Sequence, residues 1–431
     1  MAEPEILIIG AGASGLIAAR QLAKSGRTVS VLEARNRIGG RIHTLSVNGF
    51  AKPIETGAEF VHGRLPITLS ILKDAGIQTS DMQGITYQLK DGSLQQSEEF
   101  IEGFPELISR MKQLKKDLPF EEFLDTCMKE ENFKQLKEEV KRYAEGYDAA
   151  DIRRVSSFAL LEEWTSEADS TPSRIVGGYT GMTDFLASEC REAGCPIHLS
   201  AIVKEIRWRT GHAEIICSNN QIFHSSKVLI TVPLGILQAE RDSKARIKFS
   251  PEIPQFRPAV MSMGFGEVIK VFFEFKETFW ENNPGEPILK QMPGLGFLIS
   301  DAPVATWWTQ APDKLPLLTG WMAGPKAGEL RNLSNEEIIR KAMDSLAYIF
   351  DTDLAFINKQ MKAFHAANWM TDPFTLGAYS YATVHSEEAV RVLTAPVNDT
   401  LYFAGEALYA GPAMGTVEAA LSSALNAVKI I

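Results

Sequence analysis

Cysteine is scarce in this 431-residue sequence: Cys127, Cys190, Cys195 and Cys217 are the only four. They form no C-x-x-C pair and have no histidine beside them at ligand spacing, so no metal site and no redox dithiol is expected, and the thiols read as reduced packing residues. Positive charge is also short, with 44 Lys plus Arg against 54 Asp plus Glu for a balance of −10. A nucleic-acid partner is thereby excluded, because a phosphate-backbone surface needs clustered Lys and Arg in excess. No run of about 20 apolar residues is present, so no membrane partner is expected. The four residues before the first strand-like run leave no room for a signal peptide, and a cytoplasmic protein is the expectation. No repeat or low-complexity linker appears. The 45% hydrophobic and 23% charged composition is that of a globular protein, long enough for two or three domains of about 150 residues each.

What is present begins at the N-terminus. Glu5 to Ile9 is a short apolar run suited to a strand buried on both faces of a parallel sheet. Gly10-Ala11-Gly12-Ala13-Ser14-Gly15 follows as G-x-G-x-x-G. From Ser14 to Ser25 the period turns helical, with Leu16, Ala19, Leu22 and Ala23 on one face and Gly26 at the expected C-cap. Val29 to Leu32 closes a βαβ unit. Gly10 permits the tight turn, Gly12 lets backbone approach a pyrophosphate, and Gly15 lets the helix pack close to the strand. The helix N-terminus offers unpaired N–H groups and about half a positive charge to a phosphate. Glu33 stands where a carboxylate accepts ribose hydroxyls, and its charge disfavours the 2′-phosphate of NADP, leaving FAD or NAD. Ala34, Arg35, Gly39, Gly40 and Arg41 then form a second predicted anion cradle, more than a nicotinamide dinucleotide usually needs.

The E-A-R-x-R-x-G-G-R stretch of residues 33–41 resembles the FAD-binding flavoproteins of the amine oxidase superfamily. Glu55-Thr56-Gly57-Ala58-Glu59-Phe60-Val61-His62-Gly63 is similar to the family's loop beside the flavin ring, and Arg174-Ile175-Val176-Gly177-Gly178 to its glycine pair before a returning helix. Val203 falls where the family's backbone contacts adenine. Leu401 to Ala407, carrying Gly405 and Glu406, and Met414 to Ala420, carrying Thr416 and Val417, are similar to its closing signature. Glu406 is expected to bind a hydroxyl of the flavin side chain, and a helix starting near Thr416 to aim its positive end at the flavin N1 and C2 carbonyl. The implied fold is α/β, a Rossmann-like FAD-binding domain with a discontinuous substrate domain of mixed sheet and helices. Expected boundaries are 1–66, 174–267 and 398–431 for the first, 67–173 and 268–397 for the second. The charged stretch 98–147 reads as solvated faces of substrate-domain helices.

Lys270 lies in the otherwise apolar strand Val268 to Phe275. Taken alone it suits an edge lysine whose stem reaches water. The resemblance implies instead a catalytic lysine, bridged through water to flavin N5 and assisting the reaction with O2, with a pKa lowered by desolvation. Tyr379 belongs to Trp369-Met370-Thr371-Asp372-Pro373-Phe374-Thr375-Leu376-Gly377-Ala378-Tyr379-Ser380-Tyr381. On bare sequence it is a core aromatic or a site residue. The resemblance, which is to the polyamine oxidase and histone demethylase form of this segment, makes Tyr379 a wall of an aromatic slot and puts Trp369 on the cofactor side. Ala378 stands where monoamine oxidases carry a flavin-linked cysteine, so FAD is expected to be non-covalent. Thr416 replaces their second cage tyrosine, opening the slot. The expected reaction is oxidation of a primary or secondary amine to an imine by hydride transfer to flavin N5, with O2 as second substrate and H2O2 as product. Glu59 and His62 are candidates to bind a second amino group of a diamine or polyamine, or to serve only in loop hydrogen bonding. An L-amino acid oxidase, which needs a carboxylate-clamping arginine, is an alternative: Phe60 holds the family's arginine position, with Arg64 nearby. A desaturase-like relative is another, disfavoured by Lys270 and Tyr379 together. The chain length is expected to exclude the helical insertion of a histone demethylase. The far pocket wall is expected from the helical block and the Trp307-Trp308 region.

Overall fold

The computed structural model describes residues 3–63, 65–96, 101, 103–166, 171–281 and 290–431. Arg64 and positions 98–100 and 102 of the charged stretch lie outside the described residues. Ile6–Ile9, Val29–Leu32, Ile197–His198, Lys227–Ile230 and Leu401–Phe403 form a five-stranded sheet in which the N-terminal strand is central. All its pairings are parallel, with Ile8 facing Val31 on one side and Leu229 on the other. The period-2 geometry of a strand sends alternate residues to opposite faces. Ile6 and Ile8 therefore enter a core built with the helices Ala13–Lys24, Thr180–Glu192 and Val417–Val428, whereas Leu7 and Ile9 enter another shared with the four-stranded sheet that includes Val203–Arg209 and His212–Cys217. Burial on both faces explains why the first strand has no polar residue.

The second layer is a seven-stranded sheet in which Val268–Phe275 pairs antiparallel with Met361–Asn368 and Leu317–Ala323. All eight residues of that strand are buried. Over the cavity between the two sheets sits a helical cluster, Phe104–Met111, Phe120–Cys127, Lys134–Gly146 and Ser157–Ser166, packed around Phe120, Phe123 and Trp164. Among the described residues no helix is long and apolar enough to cross a membrane, and no cluster of His, Cys, Asp or Glu could hold a metal ion.

Local differences from the sequence reading have physical causes. The first helix ends at Lys24 with Ser25 as its cap, and Gly26 follows with φ +88°. Residues 197–208, a β-prone stretch of the sequence, divide between Ile197–His198, which joins the parallel sheet, and Val203–Arg209, which joins a mixed four-stranded one. Helix Pro66–Asp74 buries Ile71 and Leu72 in the first core, and Ser386–Thr394 buries Val390 and Leu393 in the other core of the parallel sheet. Both segments thus pack with the nucleotide-binding sheet, although the expected boundaries gave them to the second domain. Their apolar faces decide the domain, and a face has no address in sequence.

Two loop glycines serve different purposes. A Cβ on Gly15 would lie 1.9 Å from the Gly10 carbonyl oxygen, whereas one on Gly12 would meet only the Gly39 oxygen at 4.0 Å. Gly12 also has ordinary extended backbone, φ −76° and ψ −177°. In urea unfolding of cofactor-free protein, Gly15→Ala should therefore cost about 1–3 kcal/mol or more. Gly12→Ala should stay within about 0.5 kcal/mol of the parent, and equal losses at the two positions would contradict this division of roles.

Candidate active site

A cavity of about 1760 Å³ runs from the glycine turn, between the sheets, to the helical cluster. Single-ligand pockets run to roughly 1,000 Å³, so this one has room for a dinucleotide and a substrate together. Gly10, Gly12, Ala13 and Ser14 line one end. Ala11 and Gly15 do not: the Ala11 N–H is spent on Glu33, and Gly15 is a packing residue. The Ser14 hydroxyl, buried at the first turn of the helix, has no hydrogen-bond partner among the described residues. An orphaned hydroxyl beside a cradle lacking a Cβ fits a phosphate oxygen. Glu33 Oε2 accepts from Ala11 N at 2.8 Å and Oε1 from Arg35 N at 2.9 Å, fixing the carboxylate at the cavity edge. Ala34, Gly39, Gly40 and Val203 continue this wall.

The arginines behave differently from the expected anion cradle. Arg35 is held by Asp372 at 2.5 Å and lies over the Phe374 ring, while Arg41 bonds Glu406 at 2.7 Å and the Ala378 carbonyl. Arg37 donates to the carbonyls of Ile38, Gly40 and Ile42, and burial and the nearby Arg35 push its pKa down to about 10. These guanidinium groups stitch the loop to the protein's own acceptors, while Arg35 and Arg41 still line the cavity beside the orphaned hydroxyl and the open backbone at Gly12. Asp372 was invisible as a partner because it lies 337 residues from Arg35. Glu406 is likewise engaged, by Arg41 through one oxygen and by Ser380 through the other. Gly405, Thr416 and Val417 line the cavity, but the Thr416 hydroxyl caps its helix, accepting from Ala419 N and donating to the Ala413 oxygen. It contributes helix orientation rather than a free hydroxyl.

Lys270 is 2% exposed on a strand paired on both sides, which excludes an edge lysine reaching water. Its Nζ donates to the Glu55 oxygen at 2.8 Å, the Gly57 oxygen at 3.2 Å and Glu59 Oε2 at 2.8 Å. An ammonium has three donors, so all are directed at protein acceptors. A water bridge to a flavin must therefore replace one, and Gly57 is the longest. Glu59 in turn accepts through Oε1 from Arg174 Nε and Trp308 Nε1, both at 3.0 Å. Burial alone would push this carboxyl up, but Lys270 and Arg174 bring it from its usual 4.5 down to about 2. Glu59 faces the cavity as expected, yet its carboxylate is committed to the lysine, arginine and tryptophan, which removes it as the anchor for a second amino group.

Aromatic rings form much of the remaining wall, with Asp148, Glu162 and Glu163 among them. Tyr379 donates its hydroxyl to the Tyr147 oxygen at 2.6 Å, and its ring lies nearly parallel to Trp321, 17° apart with centroids at 6.4 Å. Burial, then Asp148, Glu163 and Glu406, raise its pKa well above the ordinary phenol value, so it is a neutral wall. Trp321 was missed from the sequence; it pairs with Lys270 across adjacent strands and so shares its face. Phe60 packs on Trp308 at 5.6 Å, and His62 lies edge-on to Phe60 and Tyr147. Trp308 lines the cavity while Trp307 turns into the core and bonds the Val304 oxygen, as strand alternation requires. Trp369 donates to the Thr56 oxygen at 2.7 Å, and its ring lies 3.3 Å from where a Gly57 Cβ would stand, pinning the loop of Gly57 and Ala58.

Glu59→Gln leaves the buried Lys270 and the partly buried Arg174 without their anion and should cost about 3–5 kcal/mol in denaturant unfolding. A carboxyl depressed on folding stabilises above its unfolded pKa and loses that stabilisation as pH falls through the folded one. The parent's advantage over Glu59→Gln should thus be full above pH 4.5 and shrink toward about pH 2; an advantage unchanged between pH 7 and 3 would refute the pairing.

Comparison with known proteins agrees with this geometry. The sequence profile described as "Flavin containing amine oxidoreductase" matches residues 13–431. Polyamine oxidase 4 of Oryza sativa subsp. japonica is 27% identical, with 98% of this chain covering 88% of that protein. Lysine-specific histone demethylase 1 homolog 3 of Arabidopsis thaliana is 26% identical over 94% of this chain, which spans only 28% of its length. In fold, putrescine oxidase solved with putrescine superposes with a TM-score of 0.81 at 19% identity, covering 99% of this chain and 98% of that one. Cyclohexylamine oxidase from Brevibacterium oxydans does so with a TM-score of 0.78 at 19% identity and the same coverage. With its turn, its buried lysine and its aromatic wall in one cavity, the chain belongs to the flavin-containing amine oxidoreductases, enzymes that act on amines with a flavin cofactor.

Proposed function

We propose that this enzyme binds FAD non-covalently and oxidises a primary or secondary amine of the diamine or polyamine class, with O2 as the electron acceptor. The carrying observation is the placement of Lys270 and the Tyr379–Trp321 pair on the cavity whose other end is the glycine turn. Gly12, Ser14 and Glu33 would hold the phosphate and ribose portion, while Trp369, Gly57, Ala58 and the helix that Thr416 caps would frame the ring. A flavin held there would supply the electron sink for hydride from the carbon beside the amine nitrogen, with O2 as the final acceptor giving H2O2. The protein's part is to orient the amine against Tyr379 and Trp321 and to exclude water. Burial in this slot disfavours a charged ammonium and so favours the unprotonated amine, whose lone pair must support the developing iminium. Ala378 offers no thiol for a covalent link. The names of the rice polyamine oxidase and of the putrescine-bound structure support this substrate class. Against an amino acid oxidase, the guanidinium of Arg174 is already taken by Glu59 and by the Thr309 and Ala311 oxygens. It has little left with which to clamp a substrate carboxylate.

Anaerobic mixing with putrescine, spermidine or tyramine should bleach the flavin, and L-amino acids should not; bleaching by amino acids alone would overturn this reading. Acid precipitation should release all the yellow cofactor as FAD, and retention in the pellet would refute non-covalent binding. Lys270→Met should keep FAD yet slow reoxidation by O2 about a hundredfold, an unchanged stopped-flow rate being the contrary result.

A further inference from the structure

Lys270 has a companion that the proposed chemistry does not yet use. A lysine in this strand can be fixed by carbonyl oxygens alone, and two, Glu55 and Gly57, are supplied. This chain adds a full negative charge at 2.8 Å, on a carboxylate 4% exposed. The carboxylate is itself braced by Arg174 Nε and Trp308 Nε1 on its other oxygen. Arg174 is fixed further by the Thr309 and Ala311 oxygens, so the brace reaches from the strand Ser173–Ile175 to the segment after Thr306–Trp308. A buried cation, a buried anion and a partly buried cation thus stand together beside the cavity. Each charge in such a cluster is costly unless its geometry is held.

We infer that Glu59, braced by Arg174 and Trp308, is the positioning residue of Lys270, fixing its Nζ at the cavity wall so that the reaction with O2 depends on the carboxylate through the lysine. The inference rests on the role proposed above for Lys270. It replaces the expectation that Glu59 grips a substrate amine. It also explains why a residue of the flavin-side loop is acidic in an enzyme whose substrates are cations: the charge is already paired within the protein and does not retain the product. Acting through Lys270, Glu59 has no effect of its own once the lysine is absent, and this separates positioning from a general structural contribution.

The test uses the flavin-loaded enzyme, photoreduced without any amine and mixed with O2, so the result does not depend on which amine is the substrate. Glu59→Gln should slow reoxidation about tenfold, and Glu59→Asp, which keeps the charge, should recover part of the loss. The double variant Glu59→Gln with Lys270→Met should be no slower than Lys270→Met alone. Independent of turnover, the affinity of the oxidised flavin for the anion sulfite, read from its absorption spectrum, should fall in Glu59→Gln because the Lys270 ammonium is no longer held in place, and the double variant should match Lys270→Met. The double variant, lacking both buried partners, keeps the test readable should Glu59→Gln alone be poorly folded: its rate must match that of Lys270→Met. Losses that multiply in the double variant, or a Glu59→Gln rate within twofold of the parent, would overturn the inference while leaving the amine oxidase reading intact. Slowing by Glu59→Gln with no slowing by Lys270→Met would overturn the inference together with the role of the lysine. Absence of bleaching by any amine in the separate anaerobic assay would count against the amine reading alone.

Discussion

The buried contact between Lys270 Nζ and Glu59 Oε2, at 2.8 Å, ties the strand next to one edge of the seven-stranded sheet to the loop that follows the nucleotide-binding segment. Neither charge tolerates this environment unpaired, so the two elements must meet in one register or leave an ion in a low-dielectric interior. Everything that shapes the cavity leans on that crossing. The lysine also holds the Glu55 and Gly57 carbonyls, Trp369 pins the loop from its other side through the Thr56 oxygen, and Arg174 and Trp308 complete the carboxylate's shell. A polar network that satisfies its members in this way specifies a unique arrangement where apolar packing alone would tolerate sliding.

The nucleotide end obeys a different logic. Its arginines pair with carboxylates of the protein, and its orphaned serine hydroxyl and open glycine backbone line the same cavity. A phosphate is thereby received by dipoles and a helix terminus that need no reorganisation when it arrives. At the opposite end the wall is rich in aromatic rings, and the Tyr379 phenol is neutral. The cavity therefore passes from an anion-receiving surface, past Lys270 and Glu59, to an aromatic slot whose Tyr379 and Trp321 stand with the carboxylates Asp148 and Glu163.

Much of this was legible in sequence wherever the determinant was local. The βαβ unit, the close packing at Gly15, and the bounds of Val268–Phe275 follow from apolar runs, turn glycines and residue period. What was illegible depends on partners far apart in the chain. Glu59 could be seen as a loop carboxylate, but not as the counter-ion of a lysine 211 residues away. Arg35 and Arg41 look like anion binders until Asp372 and Glu406 appear opposite them. Trp321 becomes a site residue only through its register with Lys270, and the segments 66–74 and 386–394 change domain because of where their apolar faces land.

The central claim is that one cavity joins a flavin to an amine-orienting slot beside a fixed lysine. An experimental structure of the FAD-loaded protein tests it most directly. The account predicts the pyrophosphate against Gly12 and the Ser14 hydroxyl, and the flavin ring packed between the Lys270–Glu59 pair and the Tyr379–Trp321 wall with no bond to Ala378. A ring lying away from Lys270, or a pyrophosphate held by Arg35 and Arg41 with their carboxylate partners released, would contradict it.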